Sequence, residues 1–365
     1  DLRLGDARPL GDVDVVIPVL HGPFGEDGTV QGLLEMAGIA YVGAGVAAAG
    51  VTMDKDLTKA VLRDAGVPVA ASITLRRGAH DPFDPATRAL IEDRFGYPVF
   101  VKPARLGSSV GISKVQDAST LGAALDLAFR HDEKVLVEEF LAGVELECGV
   151  LGNDQPVASE VGRIVVKGGG DWYDYESKYG DGGSDLIVPA DVPAQAAAEV
   201  RLLALQAFRA CDCAGMARID FFRTTGGRIV LNEVNAIPGF TSTSYYARLF
   251  AASGIPYRDL LDRLIRLALE RHERHVRRLA MHVEFEVSQR RRRLRMHEEH
   301  RHPFLHQPLQ LLQPTRFGPR RADEHKIGST GQGLFPFGHA AHRRIREKRA
   351  VRAGGCLAEF DRIAT

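Results

Sequence analysis

The segment from Met216 to Val234 constrains this chain more than any other stretch. Met216–Arg223 and Arg228–Val234 alternate apolar and polar residues around Thr-Thr-Gly-Gly, the signature of an antiparallel β-hairpin. If Arg223 pairs with Arg228, Arg218 faces Glu233 and Asp220 faces Leu231. Side chains alternate with period two, so Arg218, Asp220, Phe222, Glu233 and Asn235 share one face. Asp220 and Glu233 are then diagonal neighbours with backbones ~7–8 Å apart. Two carboxylates and an amide oxygen suit Mg²⁺, which favours oxygen ligands and keeps waters and substrate phosphates in its sphere. Arg218 beside them can stabilise charge developing on a phosphoryl or tetrahedral oxygen. A surface strand pair with a salt bridge is the competing reading, and a one-residue slip of either strand would undo the site.

Three further stretches carry chemistry. Lys102-Pro-Ala-Arg-Leu-Gly-Ser-Ser-Val-Gly111 lies between two predicted strands. Backbone N–H groups in such a turn can cradle phosphate, and a lysine at its mouth adds a point charge. It is not a Walker loop, because GxxxxGK[ST] occurs nowhere in the chain. His21-Gly-Pro-Phe-Gly-Glu-Asp-Gly28 follows the apolar run Val13–Leu20. It therefore sits where open α/β sheets bind ligands, beyond the carboxyl end of a strand. Pro238-Gly-Phe-Thr-Ser-Thr-Ser-Tyr-Tyr246 follows the acidic strand and opens a helix, whose N–H groups attract a carboxylate. Plain turn chemistry and ordinary capping are the bland alternatives for these stretches.

The rest of the pattern frames these motifs. Strands are predicted at Val13–Leu20 and Ile39–Val42, with a helix from Val30 to Ala37 capped by Thr29 and another from Asp54 to Ala65. Strands follow at Tyr97–Lys102, Val110–Val115, Val135–Phe140, Glu145–Leu151 and Arg163–Val166. Helices are predicted at Leu121–Arg130, Ala194–Ala210 and Tyr257–Glu270, and 168–183 reads as a glycine-rich loop. Two strands before residue 50 are too few for a stable open sheet, so upstream strands are expected to be missing.

Zero formal charge hides an asymmetry. Residues 276–365 hold 17 Arg and 2 Lys against 9 acidic residues, a net +10, which leaves −10 on the remainder. Ten of the 13 histidines lie at or beyond His272. The shift marks a segment of different character, and its scattered Pro and His predict disorder. No aromatic interleaving supports stacking on nucleic acid, and no apolar run reaches the ~18 residues of a membrane span. Four sparse cysteines without a CxxC pair fit reduced thiols in a cytoplasmic protein.

Taken in order, HGPFGEDGTVQG (21–32), MDK (53–55), KPARLGSSVGISKV (102–115), VLVEEFLAGVELECGV (135–150), YDYESKY (173–179), ARIDFF (217–222) and NEVNAIPGFTSTSYY (232–246) resemble the D-alanine–D-alanine ligases of the ATP-grasp superfamily. The resemblance spans Asp12 to His275. It implies an α+β ATP-grasp fold in which a partial N-terminal parallel α/β domain (1–52) precedes two ATP-grasp subdomains (53–142 and 143–275). The basic tail (276–365), disordered or non-native, has no counterpart.

The resemblance also implies a reaction. ATP activates one D-alanine as an acylphosphate, and the amine of a second attacks it to give D-alanyl-D-alanine for peptidoglycan, in a cytoplasmic homodimer. Lys55, Lys102 and Lys178 would contact the ATP phosphates. Glu138, Glu139 and Leu141 would border adenine, Phe222 would pack on it, and Glu145 would take the ribose. Asp220, Glu233 and Asn235 would hold two Mg²⁺ or Mn²⁺ ions, with Glu233 bridging. Arg218 and the amide of Gly239 would stabilise the tetrahedral intermediate. His21 and Glu26 belong near the first D-alanine, and Ser244 and Tyr245 border the second. Ser108 and Tyr179 would tie a mobile loop over the site. Nothing before Asp12 matches the family's first strand and glycine loop, so the chain is expected to be a truncated, impaired ligase. Alternatives are a D-alanine–D-lactate ligase, disfavoured by Tyr179, and a nucleotide-binding remnant.

Overall fold

The computed structural model describes residues 13–79, 81, 83–107, 110–166 and 183–299. The chain divides into two units, Asp1–Val283 and Glu284–Thr365. The site and both larger sheets belong to the first. In the second, the described residues are the final turns of one long helix.

The N-terminal strands are shorter than their apolar runs. β1 (Val15–Val16) pairs in parallel with β2 (Ala40–Tyr41). Pro18 has no N–H to donate, and Val19 N turns back to Ile17 O at 3.0 Å. Between the strands lies α1 (Thr29–Met36). Its N-cap is Gly28, at φ +94°, rather than Thr29, and Asp27 Oδ1 accepts from Thr29 N. α2 (Val46–Met53), an Ala/Gly-rich helix that periodicity did not reveal, runs into α3 (Lys55–Asp64). Asp54 separates them and caps α3 by accepting from Asp56 N and Leu57 N.

The first large sheet has four antiparallel strands in the order β3 (Ser72–Arg76), β6 (Lys134–Glu139), β4 (Val99–Pro103), β5 (Ser113–Val115). One face packs on α4 (Pro85–Phe95) and α5 (Ala118–His131), with Leu75, Val99, Val101, Val135 and Val137 against Ile91, Leu121, Leu125 and Phe129. The opposite face carries Phe100, Lys102 and Glu138, because these residues alternate with the core set.

The second sheet has five antiparallel strands in the order β11 (Ile229–Asn235), β10 (Gly215–Thr224), β7 (Gly143–Gly152), β8 (Val157–Val166), β9 (Ser184–Ile187). α6 (Ala194–Ala210) covers one face, where Val200, Ala204, Ala207 and Phe208 meet Leu146, Cys148, Ile219 and Phe221. α7 (Tyr245–Ala252) and α8 (Tyr257–Glu299) add a further core of Tyr246, Phe250, Leu260 and Leu264 with Leu151 and Met216. Cys148, Cys211 and Cys213 are buried free thiols.

Two expectations are corrected here. The last helix does not end at Glu270 but continues to Glu299, so the segment from 276 begins as helix rather than as disorder. Ion pairs one turn apart, Glu270–Arg274 and Glu273–Arg277, support it where the apolar stripe fades. The hairpin register also differs. Arg218 pairs with Asn235 and Asp220 with Glu233, and a bulge then sets Phe221 opposite Leu231 and Arg223 opposite Ile229. The loop 168–182 and residues 300–365 lie outside the described residues.

Candidate active site

The inner faces of the two sheets enclose a cavity of about 630 Å³. β10 pairs with β7 so that Asp220 meets Glu147 and Phe222 meets Glu145. Strand parity therefore puts Glu145, Glu147, Arg218, Asp220, Phe222 and Glu233 on one wall, and all six line the cavity. The facing wall holds Phe100, Lys102 and Glu138 from the first sheet, with Lys55 from the start of α3. Glu139, Phe140, Leu141 and Gly143, from the turn joining β6 to β7, close one end.

Charge is arranged tightly on the acidic wall. The Arg218 guanidinium donates to both oxygens of Asp220, at 2.8 and 2.7 Å, and lies 3.3 Å from Glu147. Burial works against its charge, but the carboxylates of Asp220, Glu147 and Glu233 hold its proton far more firmly than usual. Asn235 Nδ2 donates to Asp220 Oδ2 at 2.9 Å. Arg218 is thus a fixed cation aimed by its own strand.

The basic wall is built differently. Lys102 donates to Glu138 Oε2 at 2.7 Å, and Lys59, from one turn further along α3, lies 3.2 Å from Glu138 Oε1. Burial opposes ionisation of Glu138, but the two ammonium groups overcome it and hold its pKa down at about 2. Lys55 Nζ donates to Leu106 O at 2.6 Å, tying α3 to the glycine loop after β4. The base of that loop is clamped by Asp132, which accepts from Arg105 N at 2.8 Å and from its guanidinium. Gly111 closes the loop at φ +72°, and a Cβ there would lie 2.7 Å from the His131 ring.

A small adjoining space joins Glu26 to Lys55, Asn232, Glu233 and Asn235. Glu26 accepts from Gly22 N at 2.6 Å, which folds the 21–28 loop back on itself. Burial raises its pKa against the pull of the Gly22 amide and His21, and Glu233 adds to the rise.

Of the expected site residues, Lys55, Lys102, Glu138, Glu139, Leu141, Glu145, Arg218, Asp220, Phe222 and Glu233 come together around one cavity. Glu26 and Asn235 flank it. His21 is exposed and lines neither space. Gly239, Ser244 and Tyr245 form a separate group at the start of α7. A Cβ on Gly239 would lie 3.4 Å from Ser244 Oγ, which accepts from Thr241 N, while Tyr245 bonds Ser184. Ser108, Lys178 and Tyr179 lie outside the described residues. Sequence reasoning missed Lys59, Phe100, Glu147 and Asn232. Glu147 was within reach, since it shares the parity of Glu145; Lys59 follows Lys55 at helical spacing.

Asp220, Glu233 and Asn235 offer oxygen donors of the kind Mg²⁺ or Mn²⁺ takes. Both Asp220 oxygens accept from Arg218, and Oδ2 also from Asn235, so the donor set fits an ion that takes few protein ligands and fills its sphere with water and phosphate oxygens.

The sequence models of the D-ala D-ala ligase C-terminus and N-terminus match residues 61–266 and 3–44. The second match begins before Asp12, so the resemblance reaches further toward the N-terminus than the motifs indicated. D-alanine–D-alanine ligase A of Chromobacterium violaceum is 49% identical over 267 residues, which cover 73% of this chain and 72% of that protein. The enzyme of the same name from Escherichia coli is 47% identical over 268 residues, again 73% and 72% of the two chains. Among solved structures, the D-alanine–D-alanine ligase from Coxiella burnetii superposes with a TM-score of 0.66 at 37% identity, covering 76% of this chain and 73% of that one. The VanG D-Ala:D-Ser ligase from Enterococcus faecalis gives 0.64 at 42% identity, covering 70% and 73%. With both family models matched and relatives 47–49% identical over nearly three quarters of each chain, the chain belongs to the D-alanine–D-alanine ligase family.

Proposed function

We infer that this chain is an ATP-dependent ligase that joins two D-alanines into D-alanyl-D-alanine for peptidoglycan synthesis. The observation that carries this reading is the single cavity with Lys55 and Lys102 on one wall and the Arg218–Asp220–Glu233 group on the other. Lysines facing acids across such a gap suit a polyanion with bound cations, which is what a nucleotide triphosphate brings. Residues 53–142 supply the basic wall and 143–275 the acidic one, in keeping with two ATP-grasp subdomains.

The chain's own groups divide the work. Lys55 and Lys102 attract the phosphates, while Phe222 and Leu141 offer apolar surface to the base and Glu145 an acceptor to the ribose. Asp220, Glu233 and Asn235 would hold Mg²⁺ or Mn²⁺, which when bound neutralises charge on the transferring phosphoryl group. Arg218 keeps its proton in this setting, so it offers a permanent cation to the oxygen that becomes negative when the second amine attacks. The backbone amide of Gly239 is proposed to share that role. Glu26, with His21 near the loop's start, is proposed to border the first D-alanine, and Ser244 and Tyr245 the second. Ser108, Lys178 and Tyr179 complete the proposed set. A cytoplasmic homodimer is proposed on the family's pattern. Among the described residues, no helix is long and apolar enough to cross a membrane.

The test is coupled ADP release with D-alanine alone and with D-lactate or D-serine as second substrate, with the product identified by mass. Dipeptide formed from D-alanine alone supports the reading. ADP release that ignores D-alanine would sink it. Depsipeptide or D-alanyl-D-serine as main product would replace the second substrate.

A further inference from the structure

The basic wall holds more positive charge than its acid can neutralise. Glu138, Lys59 and Lys102 are 3%, 2% and 9% exposed. One carboxylate serves both ammonium groups, at 3.2 Å through Oε1 and 2.7 Å through Oε2. Lys102 and Glu138 line the cavity, whereas Lys59 stands behind Glu138 and does not. Its amine also lies 3.4 Å from Ala70 O, a long contact.

A structural staple would not be built this way. Lys102 with Glu138 alone is a neutral pair. A second buried ammonium adds desolvation without adding a second carboxylate to offset it. Burial accordingly pushes the Lys59 proton affinity down, and Lys102 lowers it further against the pull of Glu138. Lys59 is almost fully buried, and a methionine would fill much the same volume at less cost. The extra charge is an arrangement held in wait for an anion.

We propose that Lys59 is a positioning residue for the nucleotide: by sharing the Glu138 carboxylate, it keeps Lys102 from being neutralised and leaves a net +1 on the Lys59–Lys102–Glu138 cluster behind the phosphate-facing wall. The inference rests on the reading that this cavity takes ATP. Lys59 never touches the ligand. It occupies one oxygen of Glu138, fixes the rotamer of that side chain, and so leaves the Lys102 amine its charge and its aim. The field of one unit charge across several ångströms of protein is worth about tenfold in binding a phosphate chain.

Titration calorimetry of the full chain with ATP and MgCl₂, and separately with adenosine, tests the charge count. Lys59→Met brings this three-residue cluster to neutrality and is expected to weaken ATP about tenfold while leaving adenosine unchanged. The double substitution Lys59→Met with Glu138→Gln returns the cluster to +1 through Lys102 alone, so the ratio of ATP to adenosine affinity should come back to within about threefold of the native chain, whatever Glu138 itself contributes to the base. Unchanged ATP affinity in Lys59→Met, a parallel loss of adenosine, or failure of the double substitution to recover would each overturn the proposal. Should Lys59→Met not fold, the double substitution still decides, because it retains the native charge without the second buried ammonium. A native chain that binds ATP yet makes no dipeptide would defeat the ligase reading while leaving the charge count to be judged on binding. A native chain that binds no ATP would defeat both.

Discussion

Asp220 and Glu233 face each other directly across β10 and β11, and they do so only because Asn232 is squeezed out of the ladder between them and the turn. Below the bulge Phe222 pairs with Val230 and Arg223 with Ile229. An unbroken ladder on that register would set Asp220 against Asn232 and turn Glu233 toward Ile219, into the core. The bulge returns Glu233 to the cavity and presents Asn232 there as well.

Glu233→Ala is therefore expected to abolish Mg²⁺-dependent ATP turnover, by at least about a hundredfold, while the fold survives. Glu233 is only half-buried, so its loss leaves no cavity in the packed core. Steady-state rates across a Mg²⁺ series, with circular dichroism as control, check this. Normal turnover in the variant would remove Glu233 from the metal set.

Glu138 gives a pH signature. Its folded pKa, about 2, lies below its ordinary 4.5 because burial is outweighed by Lys102 and Lys59. A depressed carboxylate contributes stability that is present above 4.5 and lost as pH falls toward 2. Glu138→Gln should cost on the order of 3 kcal/mol at pH 7, and the gap to the native chain should narrow through that window. Urea melts at pH 7, 4.5 and 3 measure it; a gap independent of pH would contradict the assignment.

Asp132 organises the loop that carries Leu106, the acceptor of the Lys55 amine. It receives Arg105 N, the Arg105 guanidinium and Lys134 N. Asp132→Ala should raise the KM for ATP about tenfold and leave the KM for D-alanine near its native value. Initial rates over both substrates separate these outcomes, and equal effects on the two would point to general misfolding.

Packing on the same sheet face, one step beyond the acids, is equally exposed to test. A Cβ on Gly149 would lie 2.7 Å from Phe250 and 3.2 Å from Tyr246, both fully buried. Gly149→Ala is expected to cost about 2 kcal/mol and lower the Tm by about 5 °C, read by calorimetry. An unchanged Tm would mean that α7 can yield.

Much of this site was legible from residue type and parity. The face shared by Arg218, Asp220, Phe222 and Glu233 followed from alternation alone. The pairing itself did not, because the turn closes between Thr224 and Arg228 and the bulge depends on how Asn232 is accommodated. The two departures from the expected register, one residue each, restored the expected side-chain phase at the acids. Lys59 was hidden for a different reason. A lysine on a helix is usually solvated, and only the fold shows that Glu138 reaches it. The helix beyond Glu270 escaped because its support is ionic and local rather than an apolar stripe.

The Asn232 bulge also bears on how such a hairpin can change over time. Because the slack is taken up between the tip and the acids, tip length and acid phasing are geared separately. Residues added near Thr224–Gly227 alter what the tip touches and leave the cavity's chemistry in step. A single-residue deletion between Leu231 and Glu233 would instead turn the acid inward, replacing the proposed metal ligand with a buried charge. Variation in this family member should thus be freely tolerated at the tip and punished within three residues of the acid, a boundary that insertion scanning along residues 223–235 would locate.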